Sequence, residues 1–191
     1  MISPTFAVPI GRYNINRPLT KDELMLLNNL DMEQNQENYV SVDSYVLDKL
    51  ENLKKDIEVI LKEYTDECLD LPEDAEIYIT QSWVNHTSKG ESHHKHYHWN
   101  SIYSGSFYID VDPLRDAIEL WSGHKPLFDF YKPEHFSTWF PCEVGAVFLF
   151  PSNIDHSVRV IANGMTRKSL AFNTFVRGDI GSVNGLTKIT L

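Results

Sequence analysis

The chain has 191 residues, enough for one domain with a substantial core. With 42% hydrophobic and 12% aromatic residues and no biased tract, it falls outside the disordered, collagen-like and disulfide-scaffold classes. A formal net charge of −10 disfavours a general nucleic-acid or anionic-membrane surface, either of which needs a basic footprint.

From the N-terminus, "MISPTFAVPI" lacks the basic region and apolar core of a signal peptide, and no apolar run approaches the ~18 residues of a membrane span. The stretch "TFAVPIGRYNI" alternates well enough to predict a first strand. Thr20 and Glu23 then form a T-x-x-E capping box that opens a short helix through "LMLLNNL". A longer helix is predicted from about Ser44 to Asp66, because Leu50, Leu53, Ile57, Ile60, Leu61 and Tyr64 recur at three- and four-residue steps. Cys68 and Cys142 are far apart and in no metal-type spacing, which reads as two free thiols in a reducing compartment. The expectation is a soluble, cytoplasmic protein.

From Ile77 onward the texture becomes β-rich: "IYITQSWV", "GSFYIDV", "AIELW", "AVFLF", "HSVRVI" and "KSLAFNTFV", separated by turns such as "SKGE", "PSN" and "ANG". Many short strands at this spacing predict a sandwich or barrel with the two helices packed on one outer face. The division expected is a single domain over residues 1–191, with a helical portion at about 18–70 and a β core at about 76–178.

Half of the eight histidines fall within six positions of that β body: His93, His94, His96 and His98. In an extended segment His94, His96 and His98 share one face, while His93 lies on the other and is expected to meet solvent. Two imidazoles rarely hold an ion tightly, and His156, which opens a strand after the "PSN" turn, is the candidate third. Three nitrogen ligands with open positions suit iron and oxygen chemistry, although a His-rich loop is also commonly just solvated. The strand "RKSLAFNTF" strengthens the metal reading. There Arg167, Ser169, Ala171 and Asn173 share one face and Leu170 and Phe172 face a core. An Arg followed two positions later by a Ser is well made for a carboxylate: the guanidinium fork takes both oxygens and the hydroxyl adds a contact.

Taken together, "SWVN", "HYHWNSIYSGSFY", "FPSNIDHSV" and "RKSLAFN" resemble the 2-oxoglutarate/Fe(II)-dependent oxygenases of bacterial and bacteriophage type, over about Ser82 to Phe175 and in the family's order. The resemblance implies a mainly β fold with N-terminal helices, built on a double-stranded β-helix (jelly-roll, cupin-like) core whose mouth holds Fe(II), with 2-oxoglutarate and O2 as cosubstrates. It places metal ligands at His96, His98 and His156, and the cosubstrate's distal carboxylate on Arg167 and Ser169, with Tyr108 and Ser104 reaching the same group. It implies no catalytic side chain beyond the metal centre. The activity implied is hydroxylation of a small-molecule or protein substrate, with release of succinate and CO2. One departure stands out: the wider superfamily carries Asp or Glu where this chain has His98. That leaves three readings, a three-His site, a site in which His98 yields to water, or a working pair of His94 and His96.

Two other classes compete. "GAVFLFPSNIDH" also fits a cupin pattern, with Asn153 where a Gly is expected, so a three-His metalloenzyme independent of 2-oxoglutarate is the main rival. The Glu that a cupin carries shortly after its H-x-H is missing from "WNSIY". The other is a non-enzymatic β-barrel binding module. Asn85 and Asn100 are candidates for substrate contacts or turn ties, Trp99 is expected near the mouth, and exposed β edges or the helices allow a homodimer.

Overall fold

The computed structural model describes residues 7–123, 136–162 and 164–191. Its strands, in chain order, are β1 (Gly11–Asn14), β2 (Met32–Gln34), β3 (Tyr39–Ser41), β4 (Glu76–Thr87), β5 (His93–His96), β6 (Tyr103–Asp110) and β7 (Ala117–Trp121). They continue with β8 (Ser137–Pro141), β9 (Ala146–Pro151), β10 (His156–Val158), β11 (Arg167–Arg177), β12 (Asp179–Ile180) and β13 (Ile189–Thr190). Seven form a major sheet in the order β1-β9-β6-β11-β4-β3-β2, and four form a minor sheet in the order β5-β10-β7-β8. All pairings within the two sheets are antiparallel. This is a jelly-roll, a mainly β architecture with helices added at the N-terminal side, as the strand spacing predicts.

Helix α1 (Lys21–Asn28) starts where the capping box predicts: the Glu23 amide donates to the Thr20 hydroxyl, and the Thr20 amide donates back to the Glu23 carboxylate. Helix α2 (Glu51–Cys68) begins later than its apolar periodicity suggests. Residues Val46–Lys49 instead form a 3-10 turn in which Val46 and Leu47 are buried, and the Leu47 amide donates to Ser82 Oγ on β4. Local periodicity gives way there to tertiary packing. Leu53, Ile57, Ile60, Leu61 and Tyr64 form the buried stripe of α2, each burial contributing roughly 1.5–3 kcal/mol. No helix among the described residues is long and apolar enough to cross a membrane.

Alternation along the strands divides the side chains between two cores. Val84, Phe107, Val147, Leu149, Leu170 and Phe172 leave the major sheet on the helix side and pack against α2. Tyr108, Phe148 and Phe150 leave it on the other side, toward Ile118 and Leu120 of the minor sheet. Phe172 lies flat over Gly105, its register partner; a Cβ there would come within 2.0 Å of the ring. Glycine at 105 thus lets β6 and β11 pair at full closeness under an aromatic ring. The residues on the inner side between Leu170 and Phe172 are those that carry chemistry.

Candidate metal and cosubstrate site

The cavity between the sheets is built from strands of both. The inward residues of β11 (Arg167, Ser169, Ala171) form one wall, with Trp83 and Asn85 of β4 beside them. Ser104 and Ser106 of β6 form the floor, and the histidines of β5 and β10 face them. Register ties the walls together: Ser169 pairs with Tyr108 on one side and Asn85 on the other, and Ala171 pairs with Ser106 and Trp83.

His96, His98 and His156 bring one candidate ligand atom each to within 4.8 Å of the others; no other such group of His, Cys, Asp or Glu occurs among the described residues. His94 is outside it. His96 and His156 are cross-strand partners with ring centroids 4.2 Å apart, and His98 stacks on His156 at 5.1 Å. Two of the rings are held in one tautomer by backbone. His96 Nδ1 lies 2.8 Å from the His94 carbonyl and His156 Nδ1 lies 3.2 Å from the Ile154 carbonyl, contacts that only an N–H can make. In both rings Nε2 therefore keeps its lone pair, the state a metal requires. Burial is the main cause that pushes the pKa of all three down, helped by neighbouring histidines, to about 4 for His98. The triad is neutral at physiological pH, and its donor set fits a divalent transition ion.

His98 lies beyond the end of β5 and is fixed differently. Its ring stacks on Trp83 at 5.5 Å and hydrogen-bonds the Asn173 side chain. Asn173 Oδ1 accepts from Ser104 Oγ at 3.4 Å, and Ser104 continues at 2.8 Å to Ser152, which reaches Ser101 at 2.8 Å. Ser104 thus lines the cavity as predicted, but its hydroxyl is engaged in a relay that steadies His98.

At the inner end Arg167 is 4% exposed and has no salt bridge; its guanidinium lies 5.2 Å over the Tyr108 ring and one Nη2–H reaches Cys142 Sγ at 3.7 Å. Arg167 Nε is buried without a partner, and so is the Tyr108 hydroxyl, beside which the Cys142 thiol lies. A guanidinium stays charged at any physiological pH, and an uncompensated one in an interior costs several kcal/mol. Two orphaned donors of this kind, with Ser169 next to them, form a cradle of the right chemistry for a carboxylate.

Two sequence-based placements change. His93 is half-buried and lines the cavity rather than pointing outward. His96 pairs with His156 while His93 pairs with Val158, so four residues of β5 run beside three of β10. That bulge reverses the parity of β5, and His93 turns inward to stack on His96 at 4.5 Å. Trp99, by contrast, is 76% exposed and does not line the cavity. Asn85 lines the cavity with its Oδ1 buried and unpartnered, whereas Asn100 sits in a turn at φ 53°. Cys142, which the sequence left as a bland thiol, touches Arg167; only the folded register reveals that contact. Both cysteines are free.

Residues 81–173 match a family described as "Putative 2OG-Fe(II) oxygenase". No protein among the curated ones matches the chain in sequence. Solved structures with the same fold include an oxidoreductase of the 2OG-Fe(II) oxygenase family from Burkholderia pseudomallei, 15% identical over 78% of this chain and 74% of that one, with a TM-score of 0.59. HygX from Streptomyces hygroscopicus, with nickel and 2-oxoglutarate bound, is 12% identical over 87% of this chain and 82% of its own, with a TM-score of 0.60. The α-ketoglutarate-dependent epimerase SnoN from nogalamycin biosynthesis is 11% identical over 81% and 69%, with a TM-score of 0.58.

Proposed function

We propose that the chain is a 2OG-Fe(II) oxygenase, with Fe(II), 2-oxoglutarate and O2 as its cofactor and cosubstrates, and that it hydroxylates a small-molecule or protein substrate through a three-histidine centre. His96, His98 and His156 are the metal ligands in this reading. Iron held by these residues would supply the oxidising chemistry, at the expense of 2-oxoglutarate converted to succinate and CO2.

The chain's own side chains do the rest. Arg167 grips the distal carboxylate of 2-oxoglutarate with its fork, and the Tyr108 and Ser169 hydroxyls add donors to the same oxygens. Small residues at the next level, Ser106 and Ala171, leave room for the cosubstrate's methylene chain. Phe150, Ile118 and Val158 line the cavity opposite and keep water from it. The relay from Ser101 to Asn173 holds His98 in the place where a carboxylate ligand is more usual. Without that negative charge the ion is held by neutral donors alone, and its binding depends on how well the three rings are oriented.

The observation that carries the reading is the buried Arg167, without a salt bridge, in the same cavity as the histidine group and on the other sheet. It also favours the oxygenase over a cupin-like enzyme that needs no 2-oxo acid, since such a site has no use for a buried cation awaiting an anion. Two measurements test the proposal. Fe(II)-dependent conversion of 2-oxoglutarate to succinate, lost in His96→Ala, is the expected activity. With metabolite or peptide pools under ¹⁸O₂, the expected product gains one labelled oxygen atom. An isomerised product without label would replace hydroxylation by the type of chemistry named for the epimerase SnoN.

A further inference from the structure

The cavity holds a fourth imidazole that the ligand group does not use. His93 lines it, stacks on His96 with rings 23° from parallel, and stands outside the set of atoms that converge at 4.8 Å. The bulge in β5 that turns it inward serves no obvious packing end. The ring is polar, it replaces solvent exposure with burial, and it brings a further titratable group beside three others. His93 on β5 and Arg167 on β11 line the same cavity from different sheets, with His96, His98 and His156 in its lining too. An imidazole carries an N–H donor.

Building on the oxygenase reading, we propose that His93 is a further cosubstrate-binding residue, whose imidazole N–H donates to a carboxylate oxygen of 2-oxoglutarate held between the histidine triad and Arg167. Asn85, whose buried Oδ1 has no partner, stands on the neighbouring strand of the same wall as Arg167. His93 approaches from the opposite sheet, so the cosubstrate is clamped from both. A ring fixed at one end by the cosubstrate also steadies His96, on which it stacks.

The test uses the full chain loaded with Ni(II), which is redox-inert here, and reads 2-oxoglutarate binding by calorimetry. His93→Phe keeps the ring and its stacking on His96 but has no N–H, and His93→Gln restores a donor without the ring. Loss of a hydrogen bond to a charged group is expected to weaken 2-oxoglutarate about 10- to 100-fold in His93→Phe, with a smaller loss in His93→Gln and one Ni(II) per chain in both. If the phenyl ring disturbs the fold, His93→Ala set against His93→Gln reads the same contact. Unchanged 2-oxoglutarate affinity in His93→Phe overturns the proposal, and so does loss of Ni(II), which would make His93 a metal ligand. A wild-type protein that binds Ni(II) but no 2-oxoglutarate fails differently: it removes the oxygenase reading itself, and the role of His93 with it.

Discussion

His96 and His156 are register partners across β5 and β10, with rings 4.2 Å apart and each Nδ1 turned back onto the carbonyl two residues before it. The backbone thus sets both tautomers before any ion arrives. Replacing either by Ala removes a ligand and leaves the other nitrogen group incomplete. The expected outcome is iron content falling from one per chain toward zero, measured on protein reconstituted anaerobically. His98, held by Asn173 rather than by backbone, gives a graded result: Asn173→Ala should weaken iron about 10- to 100-fold, the usual effect of removing a partner that orients a ligand.

Arg167 predicts a separable defect. In Arg167→Ala the metal group is untouched, so iron stoichiometry stays at one while the apparent KM for 2-oxoglutarate rises about 10- to 100-fold. Because Arg167 makes no salt bridge among the described residues and its Nε has no partner, 2-oxoglutarate should also raise the melting temperature of wild type and fail to raise that of the variant.

Gly105 and Phe172 make a packing prediction that does not involve the metal. A methyl at 105 would meet the Phe172 ring at 2.0 Å, so Gly105→Ala should cost about 1–3 kcal/mol by urea denaturation. Phe172→Ala alone should cost about 3–5 kcal/mol. The double variant should be less destabilised than the sum, because the methyl enters the space the ring has left.

The histidine cluster makes the apo-protein sensitive to acid. His93 and His98 are neutral in the fold down to about pH 3 and about pH 4, whereas in the unfolded chain they take up protons near 6.5. The unfolded state therefore binds more protons between those limits, and stability falls as pH drops from about 6.5. The expected result is a lower urea midpoint for the apo-protein at about pH 5.5 than at about pH 7.5, with a smaller difference in His98→Phe.

Much of this site could be read from the residues because long strands keep their parity. On β11, Arg167 and Ser169 face the cavity and Leu170 and Phe172 face the helices, as alternation requires. His156 was likewise accessible from its place just after the Pro151–Asn153 turn, and His96 through the family resemblance. What escaped depends on irregularity or on distant register. A bulge has no sequence mark, so His93 was assigned to the wrong face. The 3-10 turn at Val46–Lys49 escaped because the apolar period continues through it while Ser82, 35 residues away, captures the Leu47 amide. The Arg167–Cys142 contact and the relay from Ser101 to Asn173 join residues that no local pattern links.

The most direct test of the central claim is anaerobic titration of the apo-protein with Fe(II) and then 2-oxoglutarate, followed by visible absorption. A chelated 2-oxo acid on Fe(II) gives a weak charge-transfer band. The account predicts that band in wild type, a band that needs far more 2-oxoglutarate in Arg167→Ala, and none in His96→Ala. Iron bound at one per chain with no band at any 2-oxoglutarate concentration would contradict it.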